Sequence, residues 1–200
     1  MITFSELGRY GRLGNQMFQY AALRSLSLNK GYEFKIPDPK TMEWHGQPCL
    51  LDNFNIKAEY MSDEDYGKIK FNYMDPIVGS FDQNFFYLGD GVNLFGYFQS
   101  YKYFKDYKAD IVNELTPKDS LLRDAKKILK SFKQENKEIV SLHVRRGDNQ
   151  DGTNPQYKHF YGKNDLLTKD SLYGKYLSKT FDIFKDKKVK YLVFSGGSRT

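Results

Sequence analysis

The chain has 200 residues, 40% of them hydrophobic and 28% charged, which is enough for one large domain or two small ones and excludes a chain too polar to bury a core. Its single cysteine, Cys49, excludes an intramolecular disulfide and fits a reducing compartment. The net charge of +6 suits a polyanionic partner such as nucleic acid, an anionic membrane or a nucleotide diphosphate.

The opening reads as strand, glycine loop, helix. Ile2-Thr3-Phe4 starts a β-type run, Gly8, Gly11 and Gly14 punctuate a loop, and from Asn15 an apolar helical pattern continues to Lys30-Gly31. A helix that begins at a glycine loop favours an anion at its N-terminus. Residues 32–95 are less regular: prolines 37, 39 and 48 interrupt them, Ser62-Asp63-Glu64-Asp65 starts a short helix, and the aromatic segment from Phe81 to Tyr87 is expected on the surface of a cleft.

Gly96 to Phe104 is an aromatic run with a strand-like start. Thr116-Pro117-Lys118-Asp119 reads as a helix start with Thr116 as N-cap, leading to an amphipathic helix up to about Lys133. Glu138 to Val144 reads as a strand, followed by Arg145-Arg146-Gly147-Asp148 and a polar loop. A helix over 169–184 and a strand over 188–194, ending in Ser195-Gly196-Gly197, complete a parallel β-α-β unit. The predicted organisation is α/β, with an N-terminal lobe over 1–115 and a C-terminal lobe over 116–200 facing a cleft.

The scarcity of arginine is informative. There are 24 Lys and seven Arg, yet four of the Arg fall in two short segments, Arg9 and Arg12, then Arg145 and Arg146. A planar guanidinium holds phosphate bidentately where an ammonium does not. Gly11-Arg12-Leu13-Gly14-Asn15-Gln16 carries Arg, Asn and Gln into a helix N-terminus, a set suited to hydroxyls and phosphates, and equally readable as a turn before a capped helix. His143-Val144-Arg145-Arg146-Gly147-Asp148 displays two Arg and an Asp at a strand end, a phosphate-facing set, or otherwise a surface ion-pair cluster. His45 reads as a loop residue and His159 as solvated; three His and one Cys are spread too widely for a zinc site. Neither a P-loop nor a Gly-x-Ser-x-Gly elbow is present.

Together these segments resemble the GDP-fucose-dependent α-1,2-fucosyltransferases of glycosyltransferase family 11. The matching pieces are Gly-Arg-Leu-Gly-Asn-Gln-Met-Phe-Gln-Tyr-Ala at 11–21, Gly-Tyr-Phe-Gln-Ser-x-Lys-Tyr-Phe at 96–104, His-Val-Arg-Arg-Gly-Asp at 143–148 and Tyr-Leu-Val-Phe-Ser at 191–195. The resemblance implies a GT-B-like fold of two Rossmann-like lobes. It also implies GDP-β-L-fucose as donor substrate with no cofactor and no metal, and inverting transfer to a galactose-containing glycan acceptor.

On that resemblance Arg145 stabilises charge on the leaving β-phosphate, helped by Arg146, while His143 and Asp148 hold the Arg pair. Arg12, Asn15 and Gln16 reach the donor from the other lobe, Ser195 lies at the donor end, and the aromatic segments form acceptor walls. Asp148 and Asp151 are the candidate general bases. Two departures stand out: Ser195-Gly196-Gly197 replaces the family's acidic loop, and family members continue for about another third of their length.

The expectation is therefore a truncated C-terminal donor lobe, completed by a partner or an oligomer. The alternative is an inactive sugar-nucleotide or glycan-binding protein. Nucleic-acid binding ranks below both. The opening residues lack a signal-peptide pattern and no run approaches the ~20 apolar residues of a membrane span, so a cytoplasmic location is expected.

Overall fold

The computed structural model describes residues 1–76, 79–132, 137–144 and 172–195, with side chains from 174 onward in the last stretch. Two units are resolved, Met1–Leu122 and Arg123–Thr200.

The first unit is built on a five-stranded, all-parallel sheet. Its strands are β1 (Ile2–Thr3), β2 (Phe34–Ile36), β5 (Glu59–Tyr60), β6 (Phe71–Met74) and β7 (Val92–Phe95), in the order β5-β2-β1-β7-β6. A separate antiparallel hairpin joins β3 (Glu43–Trp44) to β4 (Gln47–Pro48). Helix α1 (Leu13–Lys30) follows β1 and buries Gln16, Gln19, Tyr20, Leu23 and Leu26, residues spaced three and four apart on one face. Gly31 closes it in a left-handed cap, its N–H donating to Ser27 O. Tyr20 and Arg24 bind α1 to α3 (Lys108–Glu114): the Tyr20 hydroxyl donates to Glu114 Oε2 at 2.5 Å, and Arg24 Nη2 lies 2.9 Å from Glu114 Oε1.

The core beneath α1 is unusually aromatic. Phe4, Phe85, Phe98 and Tyr103 are all fully buried, with Phe85–Tyr103 centroids at 4.9 Å and Phe98–Tyr103 at 5.3 Å in edge-on contact. Each such pair adds about 0.5–1.5 kcal/mol to the burial of its rings. The segment from Phe81 to Tyr87, expected on a cleft surface, is a 3-10 turn over Gln83–Tyr87 that puts Phe85 into this core, while Tyr87 faces outward. Its apolar rings gain more from a shared dry cluster than from solvent.

Short helix α2 (Asp63–Tyr66) is fixed by Asp65, which is 1% exposed. Its carboxylate accepts from Ser62 N at 3.0 Å, from Lys35 Nζ at 3.0 Å and from Lys68 Nζ at 2.9 Å. The Ser62 N–H, then the two lysines, hold this carboxyl well below the usual range. Because the folded state lowers the pKa, the stabilisation is complete above the ordinary aspartate value of about 4 and fades as pH falls below it. Asp65→Asn is therefore expected to lower the melting temperature at neutral pH and to shrink the wild-type decline on acidification. Parallel melting-temperature curves for the two proteins between about pH 6 and 3 would contradict this.

In the second unit β8 (Glu138–Val144) and β9 (Val189–Ser195) pair in parallel, from Glu138 opposite Val189 to Val144 opposite Ser195. Helix α5 (Leu172–Ile183) precedes β9. Tyr191 packs edge-on against Phe181 at 5.0 Å, so α5 covers the sheet face that carries Leu142 and Val144. Lys190, on the opposite face, lies over the Phe132 ring of α4 (Asp119–Phe132) at 4.9 Å. Thr116 does not cap α4 as the sequence suggests: its Oγ1 donates to Val112 O, closing α3, and α4 begins at Asp119. Its hydroxyl lies within reach of a carbonyl one turn back, which satisfies it locally. Among the described residues no helix is long and apolar enough to cross a membrane.

Candidate functional site

From β1 the chain moves to β2 and β5 on one side of the sheet, then returns with β6 and β7 on the other. The switch point therefore lies between β1 and β7. Open parallel sheets bind ligands beyond the carboxyl ends of the strands at such a point. Asn93, 5% exposed on β7, ties the strands together. Its Oδ1 accepts from Thr3 Oγ1 at 2.9 Å and from Ser5 N at 2.8 Å, and its Nδ2 donates to Asn72 Oδ1 at 2.8 Å.

The loop after β1 passes through Gly11 to Arg12, whose carbonyl accepts from the N–H groups of Asn15 at 2.8 Å and Gln16 at 3.1 Å. Among the described residues no side chain caps α1, and its first turn has no acidic residue, so nothing within the helix itself offsets the positive end of its dipole. That end suits an anion. A Cβ on Gly11 would lie 2.0 Å from Asn15 Nδ2, so the missing side chain is what lets Asn15 fold over the loop.

The loop after β7 reaches the same place by a strained path. Phe98 has φ 51, a left-handed value that costs a bulky residue about 1–2 kcal/mol. Its N–H donates to Asp75 Oδ2 at 2.7 Å and its ring sits in the aromatic core. Asp75 also accepts from the Tyr103 hydroxyl at 3.1 Å, and burial pushes that phenol up to about 12. The turn brings Gln99 out to the surface, where its Nε2 donates to Asn15 Oδ1 at 2.6 Å. Gln19, buried in α1, clamps both loops with one nitrogen, donating to Tyr10 O at 3.2 Å and Gly96 O at 3.0 Å. Its Oε1 is buried without a partner, so the side chain is held for those two carbonyls.

Arg12 is exposed and Asn15 half-buried, both beside the start of α1. Gln16, expected to contact the donor, is turned into the protein. It is fully buried, its Nε2 donates at 3.4 Å to Gly11 O and to Pro48 O, and its Oε1 accepts from Leu50 N at 2.9 Å. A buried amide must satisfy both ends, and these partners do so; Gln16 therefore straps the loop to residues 48–50. In the second unit His143 and Ser195 are exposed on the carboxyl-terminal halves of β8 and β9. Arg145, Arg146, Asp148 and Asp151 lie outside the described residues.

Sequence reasoning left out Gln19, Gln99 and Asp75. A glutamine inside the apolar helical run Met17-Phe18-Gln19-Tyr20 was the available signal, since burial there demands partners. Among the described residues no group of three His, Cys, Asp or Glu is placed to hold a metal ion.

The two loops that meet here come from segments 11–21 and 96–104, and the profile of Glycosyl transferase family 11 matches residues 4–198, spanning both. The chain belongs to glycosyltransferase family 11. This family-11 chain is 29% identical over 143 residues to galactoside alpha-(1,2)-fucosyltransferase 2 of Pongo pygmaeus, a match covering 69% of the chain and 39% of that protein. The chain thus spans well under half of that relative's length. No solved structure matches it.

Proposed function

We propose that this family-11 protein transfers L-fucose from GDP-β-L-fucose to the 2-hydroxyl of a galactoside, forming an α-1,2 linkage with inversion and without a metal. Family membership supports fucosyl transfer, and the name of the Pongo pygmaeus relative, a galactoside alpha-(1,2)-fucosyltransferase, supports the linkage. The structural observation that carries the reading is the 2.6 Å Asn15–Gln99 contact, which joins two family segments at the switch point of a parallel sheet.

The proposed architecture is GT-B-like, with two Rossmann-like lobes. The acceptor hydroxyl attacks the anomeric carbon from the face opposite GDP. The bond from that carbon to the β-phosphate oxygen breaks, its electron pair leaves with GDP, and the hydroxyl proton passes to a carboxylate, for which Asp148 is the proposal. Arg145, helped by Arg146, meets the charge that grows on the phosphate. His143 and Ser195 flank this donor end, while Arg12 and Asn15 bind donor hydroxyls or phosphate from the first unit. Gln16 keeps the glycine loop in place behind them. GDP-fucose and a galactose-containing glycan are the partners, a second copy of the chain is a further one, and the cytoplasm is the proposed location.

Incubation of the full chain with GDP-fucose and lactose tests this. The expected product, read by NMR, carries an α-fucosyl residue on galactose C2, and its rate is unchanged by EDTA. A fucosyl residue at another position or of the β-anomer would reject the linkage. Loss of turnover in EDTA that divalent ions restore would reject the metal-free reaction.

A further inference from the structure

The hairpin β3–β4 turns through His45 (φ 47) and Gly46 (φ 71), the two-residue left-handed connection that matches hairpin twist. It is tied to the glycine loop at several points. Arg9 Nε reaches Met42 Sδ at 3.4 Å just before the hairpin, and Gln16 bonds Pro48 O and Leu50 N at its far end. This anchoring presents Trp44 to Tyr10, with ring centroids 5.6 Å apart, and Tyr10 in turn meets Phe95 edge-on at 5.2 Å.

Three rings therefore run from the hairpin, across the glycine loop, to the last residue of β7. They differ from Phe4, Phe85, Phe98 and Tyr103, which are fully buried: Trp44, Tyr10 and Phe95 remain half-buried. Together the three rings leave an apolar surface partly open to solvent. Near them lie the polar amides of Asn15 and Gln99: the Asn15 side chain folds over Gly11, the residue after Tyr10, and its Oδ1 accepts from Gln99 Nε2. A flat apolar surface next to amide donors and acceptors matches a pyranose, whose C–H face is apolar and whose rim carries hydroxyls.

We propose that Trp44 and Tyr10 form a stacking platform for a pyranose ring of the acceptor glycan. The proposal rests on the fucosyl-transfer reading and gives that reading an acceptor subsite in the first unit. A galactoside ring lies on Trp44, and its hydroxyls face the loops carrying Asn15 and Gln99.

Trp44 is the sole tryptophan of the chain, so its emission reports on the platform directly. Methyl β-D-galactopyranoside and GDP are titrated separately into the full chain. The galactoside is expected to change the emission saturably, and GDP to leave it unchanged. In transfer assays Trp44→Ala raises the galactoside KM roughly tenfold, with GDP affinity retained, and Trp44→Phe recovers part of the loss.

An emission change with GDP and none with galactoside would overturn the platform. So would a Trp44→Ala protein that loses GDP and galactoside affinity alike, because the hairpin would then be a structural strap. If Trp44→Ala fails to fold, the wild-type titration and Trp44→Phe still decide. Saturable galactoside binding without transfer from GDP-fucose would leave the platform standing and remove the transfer reading. Transfer with unchanged KM in the Trp44 variants would do the reverse.

Discussion

Replacing Arg145 with alanine is expected to lower kcat for fucose transfer by about 10²- to 10³-fold, the usual cost of removing a group that meets developing charge. In the proposed reaction the β-phosphate gains negative charge as the bond to the anomeric carbon breaks, and without a metal a fixed cation is needed there. Arg145 follows directly on β8, whose last residue Val144 pairs with Ser195 of β9. The loss should fall more on kcat than on KM, since the interaction strengthens towards the transition state. Arg145→Lys should restore only part of the activity, because an ammonium lacks the planar fork. The melting temperature should stay close to wild type. A full kcat in Arg145→Ala would remove Arg145 from the chemistry.

Gly96→Ala is expected to destabilise the chain by about 3 kcal/mol, through backbone strain and a steric clash acting together. Gly96 has φ 130, and an added Cβ would lie 2.5 Å from Asp75 Cβ and 3.2 Å from Asp75 N. The obstruction includes backbone, so no rotamer change relieves it. Moving Asp75 would also loosen the Phe98 N–H and Tyr103 hydroxyl bonds, and with them the turn that sets Gln99 against Asn15. Transfer activity should therefore fall even where the protein remains folded. Gly31→Ala is the control, since Gly31 has φ 66 but nothing within 4 Å of the added atom; its cost should be about 1 kcal/mol. Equal losses for the two variants in urea denaturation would show that the contact with Asp75 carries no weight.

The sequence makes α1, its glycine loop and the parallel β8–β9 unit legible, because each has enough length for a period or a cap to register. Between residues 32 and 95 it does not reveal the sheet. The strands there have two to four residues, too few for alternation to be seen, and their order depends on partners distant in the chain. The aromatic segments posed a different difficulty, as a ring in a core and a ring on a binding surface have the same composition. Packing puts Phe85 and Phe98 inside and leaves Trp44 and Tyr10 half-buried.

The candidate site was legible in part. Arg12 and Asn15 stand beside the helix start, as their place after glycine suggests, but Gln16 serves the loop's own carbonyls. Nothing local distinguishes Gln16 from Gln99. The first is tied down by residues 48–50, more than thirty residues away, as its bonds to Pro48 O and Leu50 N show, and the second is brought to Asn15 by the strained turn at Phe98.

Calorimetric titration of GDP into the full 200-residue chain, beside Arg145→Ala, tests the central claim of a nucleotide-sugar enzyme most directly. Saturable binding to one site by the wild type, weakened at least tenfold by the substitution, is the predicted result. A folded wild-type chain that takes up no GDP would contradict it.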